Sequence, residues 1–157
     1  DLNLNYPAGW QNAVKNKAKK GITMPGPRDY AGPNPLSEIE TKNMVNFTKL
    51  FNFDMTISLH SQGQEIYWNY LNYKIDKAYE IGKKLEKVSG YLLTKPDYFS
   101  SFAGYKDWFI ENFKKIGYTI EIGKGEEGKP LPLENAEKIY EEVEEILLAA
   151  IDECSNI

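Results

Sequence analysis

The sequence is poor in the side chains that most often advertise chemistry: it has one cysteine (Cys154), one histidine (His60) and one arginine (Arg28) among 157 residues. A single cysteine excludes an intrachain disulfide and fits no metal-ligand spacing, so Cys154 reads as a half-buried small apolar residue in the last helical segment. No run of about 18 apolar residues occurs, which excludes a membrane-spanning helix. A net charge of −4, with no basic patch, argues against nucleic acid as a partner. The chain opens with neither an initiator Met nor a signal-like segment, and its first residue falls inside a motif, so its start is expected to be a cleavage or cloning boundary. What is present is 41% hydrophobic and 13% aromatic residues, enough to build one domain's core. No internal repeat is found.

Residues 21–36 hold three glycines and four prolines, too many breakers for a helix or a central strand, and read as an ordered loop. Ser37 and Glu40 make a capping-box pattern that predicts a helix to about Leu50, with Met44, Val45, Thr48 and Phe51 on one side. FDMTISLH then alternates: Phe53, Met55, Ile57 and Leu59 point one way and Asp54, Thr56, Ser58 and His60 the other, a strand with His60 at its carboxyl end. A short apolar stretch spans Glu65 to Tyr70. Leu71, Ile75, Ala78, Gly82 and Leu85 recur at helical spacing until Ser89 and Gly90. A further helix is expected from about Tyr105 to Ile116, stopping at Gly117. YTIEIG reads as a strand with Glu121 near its end. The segment Glu134 to Cys154 stacks Ala136, Ile139, Tyr140, Val143, Ile146, Leu147, Ala150 and Ile151 on one stripe. Strands alternating with amphipathic helices predict an α/β domain, whose ligands bind outside the carboxyl ends of its strands.

Taken singly, a lone histidine is more often structural and a strand-end glutamate more often solvated. Together at two strand ends, His60 and Glu121 offer a metal ligand and a general base, the pair a hydrolytic zinc site places around one water. Both follow their strands on the polar phase, so they are expected on one face of the sheet.

DLNLNYP (Asp1 to Pro7), SLHSQGQEIYW (Ser58 to Trp68) and YKDWF followed by YTIEIG resemble, in that order, segments of the zinc carboxypeptidase (carboxypeptidase A-like) family. The resemblance spans essentially the whole chain. It implies a mixed sheet flanked by helices, with the N-terminal part missing, so that residues 1–157 form the C-terminal portion of a single peptidase catalytic domain. It implies zinc as the cofactor, His60 as a ligand, Ser61 and Asn3 as substrate-binding residues, and Glu121 as the base that activates water. Tyr98, in PDYFSS, is the candidate for the substrate-capping tyrosine, with Tyr105 competing. The family's other two zinc ligands come from a His-x-x-Glu motif that belongs upstream of Asp1. The fragment alone is therefore expected neither to hold zinc tightly nor to hydrolyse peptides, and its truncated sheet is expected to favour self-association.

Leu4 stands where carboxypeptidases carry the arginine that grips a C-terminal carboxylate, and leucine cannot make that charge-assisted fork. DLNLNYPAGW with PGPRDYAGPNPLSEIET is similar instead to bacterial γ-D-glutamyl-L-diamino acid endopeptidases. That likeness implies hydrolysis of the γ-D-glutamyl to diamino-acid bond of peptidoglycan stem peptides. Arg28, the one guanidinium among 19 basic side chains, is then the candidate carboxylate clamp, since bidentate recognition is what lysine cannot supply. An ion pair with Asp29 is the competing use of Arg28. Two other readings stay open: a zinc carboxypeptidase or amidohydrolase of the same fold on another substrate, and a non-catalytic wall-peptide-binding module.

Overall fold

A computed structural model describes residues 1–126 and 128–155. The chain forms two compact units. One comprises Asp1–Phe53, Tyr70–Tyr73 and Pro96–Lys114, and the other Asp54–Asn69, Lys74–Lys95 and Lys115–Ile157.

The second unit holds the sheet. Strands β1 (Met55–His60), β2 (Glu65–Tyr67), β3 (Leu92–Thr94) and β4 (Ile116–Glu121) lie in the order β1-β4-β2-β3. β1 pairs with β4 and β2 with β3 in parallel, while β2 and β4 are antiparallel, so the sheet is mixed. Alternation decides which side is dry. Ile66, Ile116, Tyr118 and Ile120 project into a core shared with Ala78, Ile81 and Leu85 of helix α3 (Ala78–Ser89) and Ile146 and Ala150 of helix α5 (Ala136–Cys154). Each such fully buried aliphatic side chain stabilises the fold by roughly 1.5–3 kcal/mol. α3 approaches β3 closely because Gly82 has no side chain: a Cβ there would lie 2.7 Å from Leu93 Cδ1. The buried Tyr118 hydroxyl donates to the Ala78 carbonyl at 2.6 Å, so the core's polar group is paired.

Several expectations are corrected. The helix expected from Leu71 begins only at Ala78, because Leu71 and Lys77 adopt positive φ (47° and 57°) that no right-handed helix accommodates. α5 buries fewer positions than its stripe suggested: Ile146 and Ala150 are buried, but Tyr140 and Ile151 remain 65% and 63% exposed.

The first unit is helical: α1 (Trp10–Lys19), α2 (Ile39–Leu50) and α4 (Tyr105–Phe113). α1 has no counterpart in the sequence reading. The capping box at Ser37 is not made, since Ser37 Oγ donates to Glu38 Oε1 and accepts from Asn5 Nδ2. α2 is capped from a distance instead, by Asn5 Oδ1, which accepts from Glu38 N (3.2 Å) and Thr41 Oγ1 (2.8 Å). α4 ends earlier than expected, at Lys114 with φ 55°, and Gly117 lies within β4 opposite Thr56. Its core stacks Tyr6, Tyr105, Trp108, Phe109 and Phe113.

Candidate active site

The parallel ladder between β1 and β4 ends on the register pair His60 and Glu121. Residues at equal register on neighbouring strands project to the same face, so the two side chains lie side by side on the face away from the apolar core. The ladder continues one step, with Ile122 N donating to the His60 carbonyl at 2.7 Å, which fixes both residues at the carboxyl ends of their strands. Burial lowers the pKa of His60, so its imidazole is neutral near pH 7, the form that can donate a lone pair. Glu121 is shifted the other way, upward, first by burial and then by the carboxylate of Glu65.

Glu65 and Tyr67, which the sequence places in an apolar stretch, lie on β2 next to this corner. Glu65 is the register partner of Glu121 on β2, and the Tyr67 hydroxyl donates to Glu65 Oε2. A signal was there: Glu65 and Tyr67 flank Ile66 at period two, which puts them on the polar face. Gly63 lies beside this corner, where a Cβ would make only an ordinary contact with Glu121 Cβ at 3.4 Å. Ser61, the next residue after His60, is exposed at the strand end. Beside it, Gln62 ties down the segment that follows β4 by donating to the carbonyls of Glu126 (3.0 Å) and Lys129 (2.8 Å).

The remaining candidates lie in the first unit. Asn3 has a structural use: its Oδ1 accepts from Tyr105 N at 3.1 Å, capping α4. Leu4 closes the short 3₁₀ turn Leu2–Leu4. Arg28 is 82% exposed and only 3.8 Å from Asp29, whose tighter partner is Lys17 at 2.5 Å, so the guanidinium is not consumed by its neighbour. Tyr98 is 60% exposed. Tyr105, its competitor, is half-buried among aromatic rings with its hydroxyl bonded to Thr48 Oγ1 at 2.9 Å, a structural position. A cavity of about 230 Å³ between α1 and the loop of residues 22–33 is lined by none of the candidates.

A mixed sheet flanked by helices, with an imidazole and a carboxylate adjacent at the carboxyl ends of two parallel strands, is the arrangement this chain presents. The zinc carboxypeptidase family matches residues 1–148, and the chain belongs to it. The chain is 37% identical over 151 residues to γ-D-glutamyl-L-diamino acid endopeptidase 1 of Lysinibacillus sphaericus, covering 96% of this chain and 36% of that protein. It is 28% identical to carboxypeptidase B of Rattus norvegicus over 138 residues, 76% of this chain and 31% of that protein. Bovine thrombin-activatable fibrinolysis inhibitor, solved with tick carboxypeptidase inhibitor, shares the fold at TM-score 0.66 and 22% identity, over 99% of this chain and 55% of that one. Carboxypeptidase A of Helicoverpa armigera does so at TM-score 0.66 and 16% identity, over 96% and 41%. The chain thus spans about a third of the length of these curated relatives.

Among the described residues no group of three or more His, Cys, Asp or Glu side chains could hold a metal ion. His60 is the sequence's one imidazole, and its neutral form has the chemistry of a zinc ligand. Cys154, read from the sequence as half-buried, is instead exposed at the end of α5 and is no part of this corner. No described helix is long and apolar enough to cross a membrane.

Proposed function

We propose that the chain is the C-terminal portion of the catalytic domain of a zinc metallopeptidase that hydrolyses the γ-D-glutamyl to diamino-acid bond of peptidoglycan stem peptides. The observation that carries this reading is the adjacency of His60 and Glu121 on the last register pair of β1 and β4. His60 contributes one zinc ligand, the others coming from outside these residues. Bound zinc would polarise the scissile carbonyl and make water acidic enough to attack. Glu121 takes the proton from that water on its carboxylate and passes it to the leaving nitrogen; a pKa raised by burial and by Glu65 makes it a stronger base than a solvated glutamate.

Ser61, Asn3, Arg28 and Tyr98 are assigned to the substrate. The exposed guanidinium of Arg28 suits a carboxylate of D-glutamate or of the diamino acid, and Leu4 removes the means of gripping an ordinary C-terminal carboxylate. The likeness to an endopeptidase of that specificity supports the same substrate class.

The full-length protein with a γ-D-glutamyl-diamino acid peptide, products read by mass spectrometry, tests the reading. Cleavage at that bond is expected, falling about 10²–10⁴-fold in Glu121→Gln while zinc content is unchanged. Release of ordinary C-terminal residues would move the protein to the carboxypeptidases. Peptide binding without turnover would make it a wall-peptide-binding module.

A further inference from the structure

The exposed loop that carries Tyr98 is built as a turn around Asp97, whose Oδ1 accepts from Phe99 N (2.7 Å) and Ser100 N (3.2 Å). Ser101 Oγ closes it on the Asp97 carbonyl at 2.8 Å. Such a turn is self-contained, so its position must be set from outside. Directly after it, Phe102 and Ala103 adopt φ of 124° and 60° while buried at 3% and 0% exposure. Two successive non-glycine residues in that region persist only where the surroundings over-determine them. Here they do: Phe102 N donates to Asp107 Oδ2 (3.1 Å), Ala103 N to the Ala8 carbonyl (2.7 Å), and Tyr6 N to the Ala103 carbonyl (3.0 Å).

The Phe102 ring rests where Gly9 has no side chain. A Cβ on Gly9 would lie 2.6 Å from Phe102 Cδ1 and 2.8 Å from the Tyr70 hydroxyl oxygen, and Gly9 itself has φ 62°. Tyr98 in turn packs edge-on against Phe102, with centroids 5.1 Å apart at 84°. From the α1 side, the buried Asn16 directs Nδ2 to the Tyr98 carbonyl at 3.5 Å, and Lys19 Nζ stands 5.7 Å over the Phe99 ring.

We propose that Gly9, Phe102 and Asn16 form a seat that fixes the Tyr98 loop, and that they are positioning residues acting through Tyr98. The functional half of this inference rests on the substrate role given to Tyr98 above; the structural half does not.

Limited chymotryptic digestion of the full-length protein, scored at Tyr98 and Phe99, reads the seat without reference to activity. Gly9→Ala and Asn16→Ala are expected to speed that cleavage roughly tenfold by raising the population of the released loop. Val45→Ala, a buried substitution on α2 away from the seat, controls for general loss of stability. Cleavage by both seat variants at the rate of wild type, or of Val45→Ala, overturns the seat; if Gly9→Ala does not fold, Asn16→Ala decides alone. In kinetics, the fall in kcat/KM caused by Gly9→Ala should disappear in a Tyr98→Ala background, whereas an undiminished fall overturns the route through Tyr98. If Tyr98→Ala by itself leaves turnover unchanged, the substrate role of Tyr98 fails while the digestion still decides the seat.

Discussion

Asn5 is the residue whose loss should cost most for its size. It is 1% exposed, and its Nδ2 donates to the carbonyls of Ala31 (2.7 Å) and Asn34 (2.9 Å) and to Ser37 Oγ (3.0 Å). Its Oδ1 accepts from Glu38 N and Thr41 Oγ1. In Asn5→Ala, four of these partners keep a second bond: Ala31 O from Trp10 Nε1, Asn34 O from Ser37 N, Ser37 Oγ to Glu38 Oε1, and Thr41 Oγ1 to the Glu38 carbonyl. The Glu38 N–H, at the start of α2, is the group left without a replacement. Four bonds lost at about 0.5 kcal/mol each, plus about 1–3 kcal/mol for one orphaned donor, give a destabilisation of about 3–5 kcal/mol. For a domain of this size that lowers Tm by roughly 10 °C. Denaturant unfolding followed by tryptophan fluorescence measures it, Trp10 and Trp108 both lying in this unit. Asn5→Asp sharpens the test, because the isosteric carboxylate faces two carbonyl oxygens it cannot donate to and should cost at least as much. A loss under about 1 kcal/mol in either variant would refute the network as the organiser of residues 31–41.

Arg28→Lys in the full-length protein should lower kcat/KM for the wall peptide by roughly tenfold or more through loss of the bidentate fork, and unchanged kinetics would remove Arg28 from the substrate. The isolated 157-residue chain, with His60 its one imidazole, is expected to bind zinc no tighter than a surface histidine and to self-associate. Calorimetry and light scattering showing a monomer with submicromolar one-to-one binding would contradict both expectations. Asp29 has its pKa lowered chiefly by the hydrogen bond from Lys17, so it adds stability that is present above the ordinary carboxylate pKa and lost as pH falls through the depressed folded value. Asn tolerates the positive φ of 68° at this position. Asp29→Asn should therefore be less stable than wild type at neutral pH and converge with it in acid; a gap that persists in strong acid would show that the effect is not electrostatic.

Elements with a dry face were legible in the sequence, and those held by distant partners were not. β1 and β4 announce themselves through alternation, and the same alternation put His60 and Glu121 on the polar phase. That β4 inserts between β1 and β2 is a long-range fact carried by no local pattern, and so Glu65, the other neighbour of Glu121, was overlooked. α1 is weakly marked in the sequence because Gly9, its N-cap, offers no side-chain cap, and because lysine and asparagine fill half of its ten positions, with only Ala13 and Asn16 buried. β3 spans just Leu92–Thr94, too short for periodicity to register. The capping box at Ser37 misled because a buried amide 32 residues away outcompetes the local bond. The bond between the Tyr105 hydroxyl and Thr48 Oγ1 likewise joins residues too far apart for sequence spacing to reveal.

The β1–β4 ladder also limits how this protein can be altered. Because successive side chains alternate between a face that packs Met55 and Ile57 on the core and a polar one, inserting or deleting one residue in Met55–His60 would turn either His60 toward the core or Met55 and Ile57 away from it. Such a change would break the His60–Glu121 pairing or the packing of β1, so a length variant of β1 that still folds should be one of two residues. Loops at either end carry no such constraint. Variation in this protein, natural or engineered, should therefore gather in the loops around the His60–Glu121 corner while the corner itself stays fixed by the packing behind it.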